Sequence, residues 1–274
     1  MDTHVDIRED IFRKCLDTQI TGILTAEAPG VLSGIERARL LMASLGLSFE
    51  TKAVDGDTLQ AQQEIARVTG NPVQIARAEE KLIGTLSKFS GIATAARTAL
   101  QKADGNFDVV SGGWKKMPFE LKEPIRQAVR DGGLKGRICD APFIYLDKNY
   151  VRILGGVGKA VETALTFNRT IVVQIKAENG TADDEAVAAV KAGAAVIMVD
   201  TGNYEHLKQV GRVLRESGLR SRARLAFAGN IRLSDLEALS RFDLDLVDVG
   251  YAILDAPCLP MRFDVTGAAR GSNR

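Results

Sequence analysis

The stretch Ala195-Val-Ile-Met-Val-Asp200, followed by Thr201-Gly-Asn203, best defines the predicted fold. It is a short apolar run with β-branched residues that ends on a carboxylate and a turn. This is typical of a buried parallel strand that presents a polar group at its C-terminal end. Because the carboxyl ends of parallel strands meet at one mouth, we expect the functional site there. Runs of similar form occur at 143–147, 170–176, 224–230 and 244–251.

Strands and helices alternate along the chain from Phe107 onward. This alternation predicts a parallel sheet with helices packed on it. We favour closure into an α/β barrel over an open doubly wound sheet. No Gly-x-Gly-x-x-Gly follows the first strand, so dinucleotide binding is not supported. The predicted strands are 107–111, 143–147, 170–176, 195–200, 224–228 and 245–250, and the predicted helices are 119–130, 156–167, 182–192, 203–217 and 233–241.

Short strands and one long helix precede Phe107 and predict a small α/β domain with an antiparallel sheet. We place this N-terminal α/β sandwich domain at 1–105 and the barrel domain at 106–256. We expect 257–266 to pack back on the first domain and 267–274 to be a disordered tail. The first domain's predicted elements are helices at 8–18, 34–45 and 73–103 and strands at 21–27, 47–53 and 63–69.

The composition bounds the function classes. The chain has 274 residues and a formal net charge of +1, so bulk electrostatics does not favour nucleic acid or an anionic membrane as partner. No apolar run approaches the ~18 residues of a membrane helix. The acidic, polar start is not typical of a signal peptide. Three widely spaced cysteines predict reduced thiols, and we expect a cytoplasmic protein with a small-molecule ligand.

Histidine chemistry has little support, because the chain contains only His4 and His206. A phosphate site is the stronger candidate. Ala228-Gly229-Asn230 and Val249-Gly250-Tyr251 follow the last two predicted strands, and glycine amides at that point of an α/β barrel recurrently bind phosphate. The alternative is that these glycines only make turns.

Charged residues at or just past predicted strand ends are further candidates. Asp147 and Asp200 could hold a divalent cation or a ribose hydroxyl. Lys148 and Lys176 could bind a phosphate or a carboxylate, or form a Schiff base. The alternative for this set is a group of internal ion pairs around the barrel mouth.

Two glycine-containing basic loops could also bind an anionic ligand. Gly112-Gly-Trp-Lys-Lys-Met-Pro118 follows the first barrel strand and carries Lys115 and Lys116. Lys135-Gly-Arg137 follows a pair of glycines. A solvated basic loop is the alternative for the first of them.

Several motifs follow one another in a familiar order over about residues 20–265: Asp55-Gly-Asp57, Ala78-Glu-Glu-Lys81, Ser90-Gly-Ile-Ala-Thr94, Ala128-Val129 with Gly132-Gly133, Ile197-Met-Val-Asp200, Ala228-Gly-Asn-Ile231 and Asp248-Val-Gly250. In this order they resemble the quinolinate phosphoribosyltransferases, also called nicotinate-nucleotide pyrophosphorylases.

The resemblance implies an N-terminal α/β sandwich and an open, incomplete α/β barrel of six or seven strands. It also implies a homodimer, or a larger homo-oligomer built from dimers, in which one subunit's N-terminal domain helps cover the partner's barrel mouth. The family reaction joins quinolinate to phosphoribosyl pyrophosphate with magnesium and releases pyrophosphate and carbon dioxide.

The sequence departs from the family pattern where the family binds the quinolinate carboxylates. Binding two carboxylates in a closed site requires fixed cations, ideally bidentate arginines. Because arginines are missing here, we predict a partner other than quinolinate. The departures are Glu79-Glu80 for Glu-Arg, Trp114 for an arginine, Arg137-Ile138 for His-Arg, Asp147-Lys148-Asn149-Tyr150 for Lys-Asp-Asn-His, and Gln174 or Lys176 for a carboxylate of Glu-Val-Glu.

Our first hypothesis is therefore a divergent phosphoribosyltransferase-like enzyme that binds a phosphorylated ribose. Asp200 would hold magnesium or the ribose hydroxyls, and Lys115 and Lys148 would neutralise the leaving pyrophosphate or an acidic acceptor. Trp114 and Tyr150 could stack on a flat ring or a sugar face. The predicted catalytic residues are Lys115, Lys148, Lys176 and Asp200, and the predicted substrate-binding residues are Glu79, Trp114, Lys116, Arg137, Asp147, Tyr150, Gly229, Asn230, Gly250 and Tyr251.

Two alternatives remain open. The first is a lyase, aldolase or decarboxylase that uses Lys115, Lys148 or Lys176 as a Schiff base. The second is a non-catalytic homologue that binds a phosphoribosyl ligand, because a fold does not fix a function.

Overall fold

The computed structural model describes residues 6–140, 142–178 and 180–269, the last three of these through their backbone alone. The strands are β1 (Gln19–Ala26), β2 (Gly30–Val31), β3 (Ser48–Glu50), β4 (Thr58–Leu59), β5 (Glu64–Gly70), β6 (Asp108–Val110), β7 (Phe143–Leu146), β8 (Thr170–Ile175), β9 (Val196–Asp200), β10 (Arg224–Ala228), β11 (Leu246–Asp248) and β12 (Met261–Ala269).

The α-helices are α1 (Ile7–Ile11), α2 (Ile35–Ser44), α3 (Pro72–Ala103), α4 (Phe119–Asp131), α5 (Lys148–Ile153), α6 (Val157–Leu165), α7 (Ala182–Ala192), α8 (Tyr204–Glu216), α9 (Leu236–Leu239) and α10 (Tyr251–Leu254). Short 3₁₀ helices occur at Gly113–Lys116, Arg220–Arg222 and Leu233–Asp235. Within the described ranges, no helix combines the length and the apolar composition that crossing a membrane requires.

The chain divides into two compact units. The first contains the described residues of Met1–Arg97, Glu120–Gly133 and Ala256–Arg274. Its main sheet, as far as the described residues show it, has four strands in the order β12-β1-β5-β3, with antiparallel pairing throughout. Apolar side chains of the sheet, α2 and α3 form its core, which includes Leu24, Ile65, Leu82, Leu86 and Phe263.

The first unit differs from the sequence prediction at three points. Helix α1 ends at Ile11, well before the predicted end at residue 18. Residues 120–133 group with this unit, although we predicted them in the barrel domain. Strand β12 pairs with β1 as far as Ala269, so 267–269 do not belong to a disordered tail; 270–274 lie outside the described residues.

The second unit comprises Thr98–Phe119 and the described residues of Leu134–Asp255. Its described strands form one six-stranded parallel sheet in the order β6-β11-β10-β9-β8-β7. Lys135 adds an isolated parallel bridge beside Val110 of the edge strand β6. The fold is thus α/β, with strands alternating with helices around an incomplete barrel.

The barrel strands are apolar on both faces, as parallel strands covered by helices are. Val172, Val173, Ile197, Met198 and Val199 are each at most 1% exposed. Alternation of side chains along a strand sends every second residue to the same face. One face carries the cluster of Val110, Val172, Val196, Met198, Ala226, Ala228 and Leu246, with Tyr145 packed against it. Polar residues that continue this face at the strand ends therefore converge on one place.

Candidate active site at the carboxyl ends of the barrel strands

A pocket of about 550 Å³ opens within the second unit at the carboxyl ends of its strands. Its polar groups continue the inward-facing series of alternate strand residues, because Asp200 lies two residues after Met198 and Asp248 two after Leu246. The lining residues are Gly112, Gly113, Lys115, Lys116, Tyr145, Lys176, Asp200, Thr201, Gly202, Ala228, Gly229, Asn230, Asp248, Gly250 and Tyr251.

The loops after β9 and β10 touch backbone to backbone. The Gly202 N–H donates to the Ala228 carbonyl over 3.0 Å. A Cβ placed on Gly229 would lie 2.4 Å from the Gly202 nitrogen, and one on Gly202 would lie 2.5 Å from the Gly229 carbonyl oxygen. Both residues have positive φ, 65° at Gly202 and 112° at Gly229, which glycine adopts without strain. This wall of the pocket is therefore bare backbone, the kind of surface that an anion can approach closely.

The loop after β6 packs in a similar way against the end of β11. The Gly112 N–H donates to Asp248 Oδ1 over 2.8 Å. A Cβ on Gly113 would lie 3.2 Å from the Gly250 Cα and 2.6 Å from the Leu254 side chain. Glycine at 112 and 113 thus allows the lysine-bearing 3₁₀ turn to sit directly against the ends of β6 and β11.

Asp248 is a half-buried acid of the pocket. Its removal from water raises the pKa of this carboxyl from the usual 3.8 to about 6, and the nearby Asp200 carboxylate acts in the same direction. The Gly112 N–H and the ammonium groups of Lys115 and Lys116 oppose this shift. Asp248 therefore changes its protonation state in the mildly acidic range, where it can both give and take a proton.

Tyr145 lines the same pocket from β7. Burial raises the pKa of its phenol well above the usual range, and the carboxylates of Asp248 and Asp200 add to this effect. The phenol is consequently neutral at physiological pH and offers an O–H donor rather than a charge.

Asp200 is held by two donors from β8 and the residue after it. Gln174, 7% exposed, donates its Nε2 to Asp200 Oδ2, and its Oε1 accepts from the Lys148 backbone N–H over 2.8 Å. Lys176 donates its Nζ to the Asp200 carbonyl oxygen and lies 3.2 Å from Asp200 Oδ2. The amide and the ammonium together fix the carboxylate at the mouth of the barrel.

The two lysines of the 3₁₀ turn each lie over an aromatic ring. Lys115 Nζ is 5.4 Å from the centroid of the Tyr145 ring, and Lys116 Nζ is 4.1 Å from that of Tyr251. Such contacts stabilise a cation by about 0.5–1 kcal/mol at exposed sites. They also leave the ammonium groups on the pocket side, where an anionic ligand can reach them.

Of the residues predicted from sequence, the pocket brings together Lys115, Lys116, Lys176, Asp200, Gly229, Asn230, Gly250 and Tyr251. It does not bring in Trp114, Arg137, Asp147, Lys148 or Tyr150, which are absent from the lining. Glu79 belongs to the first unit and is exposed on α3, and its role in binding substrate stays a prediction.

The end of β7 shows why one group of these predictions differs from the structure. Asp147 is the N-cap of α5, and its Oδ1 accepts from the backbone N–H groups of Asn149 (2.9 Å) and Tyr150 (3.3 Å). The capping carboxylate satisfies donors that the first helical turn leaves unpaired. The Lys148 N–H is held by Gln174. This strand end is used to start a helix.

Sequence reasoning missed Tyr145, Asp248, Gly202, Thr201 and the amide of Gln174. Alternation along the strands is the signal that could have identified three of them. Counting in twos from the apolar inward-facing residues leads from Val172 to Gln174 and from Leu246 to Asp248, and it places Tyr145 with Phe143.

The sequence predicted magnesium at Asp200, and the surrounding donors test that prediction. Magnesium prefers oxygen ligands in an octahedral arrangement. Groups of three or more His, Cys, Asp or Glu side chains suited to a metal do not occur in the described ranges. Asp200 Oδ2 already accepts from Gln174 and faces the Lys176 ammonium. These residues do not fit a magnesium ion held by the protein alone.

Comparison with known proteins places this architecture in a family. Residues 9–90 match the N-terminal domain of quinolinate phosphoribosyl transferase, and residues 92–264 match the C-terminal domain. The chain therefore belongs to the quinolinate phosphoribosyltransferase family. The matched domains cover most of the antiparallel sheet, nearly all of the long helix and the described strands of the barrel sheet.

Individual relatives are distant but cover most of the chain. A probable carboxylating nicotinate-nucleotide pyrophosphorylase from Methanothermobacter thermautotrophicus is 24% identical over 269 residues, which is 94% of each chain. The human nicotinate-nucleotide pyrophosphorylase is 28% identical over 240 residues, covering 86% of this chain and 79% of the human one.

Solved structures share the fold. The nicotinate-nucleotide pyrophosphorylase from Ehrlichia chaffeensis superposes with a TM-score of 0.83 at 13% identity, covering 97% of this chain and 94% of that one. The corresponding protein from Francisella tularensis gives a TM-score of 0.80 at 21% identity, with 96% and 91% covered.

Proposed function

We propose that this chain is a phosphoribosyltransferase-type enzyme that binds a phosphorylated ribose in the barrel pocket and joins it to a partner other than quinolinate. One observation carries the proposal. The pocket brings together two bare glycine loops, three lysines and two carboxylates, while arginine is absent from its described lining. The glycine loops and lysines suit a phosphorylated sugar, and the missing arginines argue against a planar dicarboxylate.

The phosphate would bind at the loops after β10 and β11. Gly229 and Gly250 expose backbone without a side chain, and the first is locked against Gly202. Backbone N–H groups at this end of an α/β barrel recurrently bind phosphate. The contact with the Gly202 loop holds the Gly229 backbone in place, so little ordering would oppose binding.

The lysines of the 3₁₀ turn would face the diphosphate leaving group. Lys115 and Lys116 carry positive charge in the same pocket, beside the Gly250 loop, and each lies over a tyrosine ring. Charge held in place before the reaction stabilises the negative charge that develops as the bond to the ribose breaks. Such catalysis needs positioning and no histidine base.

Asp200 would accept hydrogen bonds from ribose hydroxyls, because Gln174 and Lys176 hold its carboxylate toward the pocket. Any magnesium would arrive with the diphosphate of the donor substrate rather than as a resident ion. Asp248 offers a site for a proton near the reacting atoms. The Schiff-base alternative is weaker for Lys176, because its Nζ already contacts the carbonyl and carboxylate oxygens of Asp200.

We also propose that the part of the site that binds the acceptor differs from that of the family. At the positions of the family's Glu-Arg, Glu80 pairs with Arg8 inside the first unit. An acid at that position would repel a dianion. Trp114 and Tyr150 are absent from the pocket lining, so their stacking on a flat acceptor stays a prediction. The homodimer and the cytoplasmic location stay predictions.

Incubation of the purified chain with phosphoribosyl pyrophosphate, magnesium and a panel of pyridine and aromatic acids tests the proposal, with pyrophosphate release as the readout. We expect release with at least one acid other than quinolinate and little or none with quinolinate. Efficient turnover of quinolinate would contradict the proposed acceptor. Calorimetric binding of phosphoribosyl pyrophosphate without turnover of any acid would favour a non-catalytic homologue.

Borohydride trapping tests whether one of the lysines forms a Schiff base with a substrate. A stable adduct with a carbonyl substrate, mapped to Lys115, Lys148 or Lys176, would support the Schiff-base alternative. The proposal predicts that no such adduct forms.

A further inference from the structure

Lys176 occupies the place beside Asp200 where a bound cation would lie. Its Nζ contacts two oxygens of that residue, the backbone carbonyl and Oδ2 of the carboxylate, the latter at 3.2 Å. A metal ion is bound in a similar way, by oxygens that converge on it. Here the cation is the ammonium of the residue that follows the neighbouring strand β8.

The groups around this ion pair suit an ammonium better than a metal. Gln174 offers Asp200 a neutral amide N–H where a second carboxylate would offer a metal another ligand. A carboxylate at that position would repel Asp200 unless a divalent cation lay between them. With the amide and the ammonium both on Oδ2, the charge of Asp200 is already balanced.

The lysine can also contact a ligand. An ammonium has three N–H donors; one of them donates to the Asp200 carbonyl oxygen, and a second can be directed to Oδ2, which lies at ion-pair distance. Lys176 lines the pocket, and its side chain is 29% exposed. The third donor can therefore reach an oxygen of a bound molecule.

We propose that Lys176 is a built-in cation that takes the place of a divalent metal at Asp200, so that the pocket binds a phosphorylated sugar without magnesium. The choice of ligand rests on the proposed function. The replacement of the metal does not, because it follows from the contacts among Gln174, Lys176 and Asp200.

Manganese is a paramagnetic probe for a magnesium site, and electron paramagnetic resonance of free Mn²⁺ measures the bound fraction on the ligand-free chain. We expect no stoichiometric binding to the wild type at millimolar Mn²⁺. Lys176→Glu places a second carboxylate beside Asp200 and should bind one Mn²⁺ per chain that Mg²⁺ displaces. Lys208→Glu, the same charge reversal on the exposed face of α8, should bind none.

The opposite result is equally specific. One Mn²⁺ per wild-type chain, displaced by Mg²⁺ and lost in Asp200→Asn, would overturn the proposal. The wild-type measurement needs no variant to fold, so a failed Lys176→Glu preparation leaves the test intact.

Calorimetry with ribose 5-phosphate tests whether ligand binding depends on magnesium. This monophosphate lacks the diphosphate that would itself carry magnesium into the pocket. We expect the wild-type affinity in EDTA and in Mg²⁺ to agree within about twofold. Lys176→Met should bind about tenfold more weakly in EDTA, because Asp200 loses its paired cation. Lys208→Met should bind as the wild type does.

The two failures are distinguishable. Ribose 5-phosphate binding that is tenfold or more tighter with Mg²⁺ in the wild type would overturn the role of Lys176 and leave the phosphoribose pocket standing. No binding in either buffer would contradict the proposed function, and the Mn²⁺ titration would still decide whether the lysine replaces the metal.

Discussion

The ends of β10 and β7 occupy equivalent places in the strand–helix repeat and are used in opposite ways. Strand β10 runs into Gly229, whose bare backbone lies against Gly202 and forms a pocket wall. Strand β7 runs into Asp147, whose carboxylate is used to cap α5. A polar residue at a strand end is therefore only a candidate for a site. It can serve a site only if its hydrogen-bonding groups are not already used to cap the next helix.

The largest effect on the contrast between these two strand ends is expected from Gly229→Ala. The new methyl group would meet the Gly202 backbone at 2.4 Å at a φ of +112°, so both strain and overlap oppose it. We expect a loss of about 3 kcal/mol or more in the free energy of unfolding, together with loss of ribose 5-phosphate binding. Urea denaturation and calorimetry measure the two effects.

Gly218→Ala is the matched control, because Gly218 has a φ of +69° with no atom within 4 Å of the added Cβ. It should cost about 1 kcal/mol from backbone strain alone and leave ligand binding unchanged. Equal losses in the two variants would show that the contact between the loops has no role of its own.

Asp248 should make the stability of the fold depend on pH. Its pKa rises from 3.8 to about 6 on folding, so the folded state holds a proton that the unfolded state releases. Its contribution to stability is fully present below pH 3.8 and is lost as the pH rises through about 6. Asp248→Asn should remove this loss, raising stability at neutral pH by on the order of 2 kcal/mol relative to the wild type.

Urea denaturation across this pH range checks the prediction on both proteins. The Asn Oδ1 can still accept the Gly112 N–H, so the fold should be preserved. Parallel pH curves for wild type and variant would contradict the raised pKa. If Asp248 handles a proton in the reaction, turnover should fall as well, whereas ligand affinity should change little.

The lysine turn should show a smaller effect on binding alone. Lys116→Met removes the ammonium over the Tyr251 ring but keeps an unbranched apolar chain. We expect phosphoribosyl pyrophosphate to bind about tenfold more weakly, with thermal stability nearly unchanged. Lys208→Met controls for the loss of one surface charge. A loss of affinity as large in Lys208→Met would mean that net charge, and not the turn, attracts the ligand.

The smallest effect is expected at the end of β7. Asp147→Ala removes the cap of α5 and should lower the free energy of unfolding by about 1 kcal/mol without changing ligand affinity. Asp147→Asn keeps a capping oxygen and should recover most of that stability. A loss of ligand affinity in either variant would show that Asp147 takes part in ligand binding, and it would contradict the contrast between the ends of β7 and β10.

Much of the fold could be predicted from sequence because it is encoded locally. The apolar run ending at Asp200, the long helix α3 and the strand–helix alternation each carry their own periodicity. The grouping of Glu120–Gly133 with the first unit could not be predicted, because it depends on contacts with residues distant in sequence. The return of β12 to pair with β1 was predicted only as packing, without its register.

The candidate site was less predictable for a related reason. Residue type and position after a strand do not reveal whether a side chain already has partners. Asp147 and Asp200 look alike in the sequence, yet one accepts from the first turn of a helix and the other from Gln174 and Lys176. Asp248 was accessible to a count of alternating residues, but its raised pKa follows from burial that only the assembled barrel provides.

The most direct test of the central claim is a crystal structure of the chain with ribose 5-phosphate. We expect the phosphate against the backbone of the Gly229 and Gly250 loops, with the ribose toward Asp200 and Lys176. A phosphate bound at the end of β7, beside Asp147 and Lys148, or an empty pocket in crystals grown at saturating ligand, would contradict it.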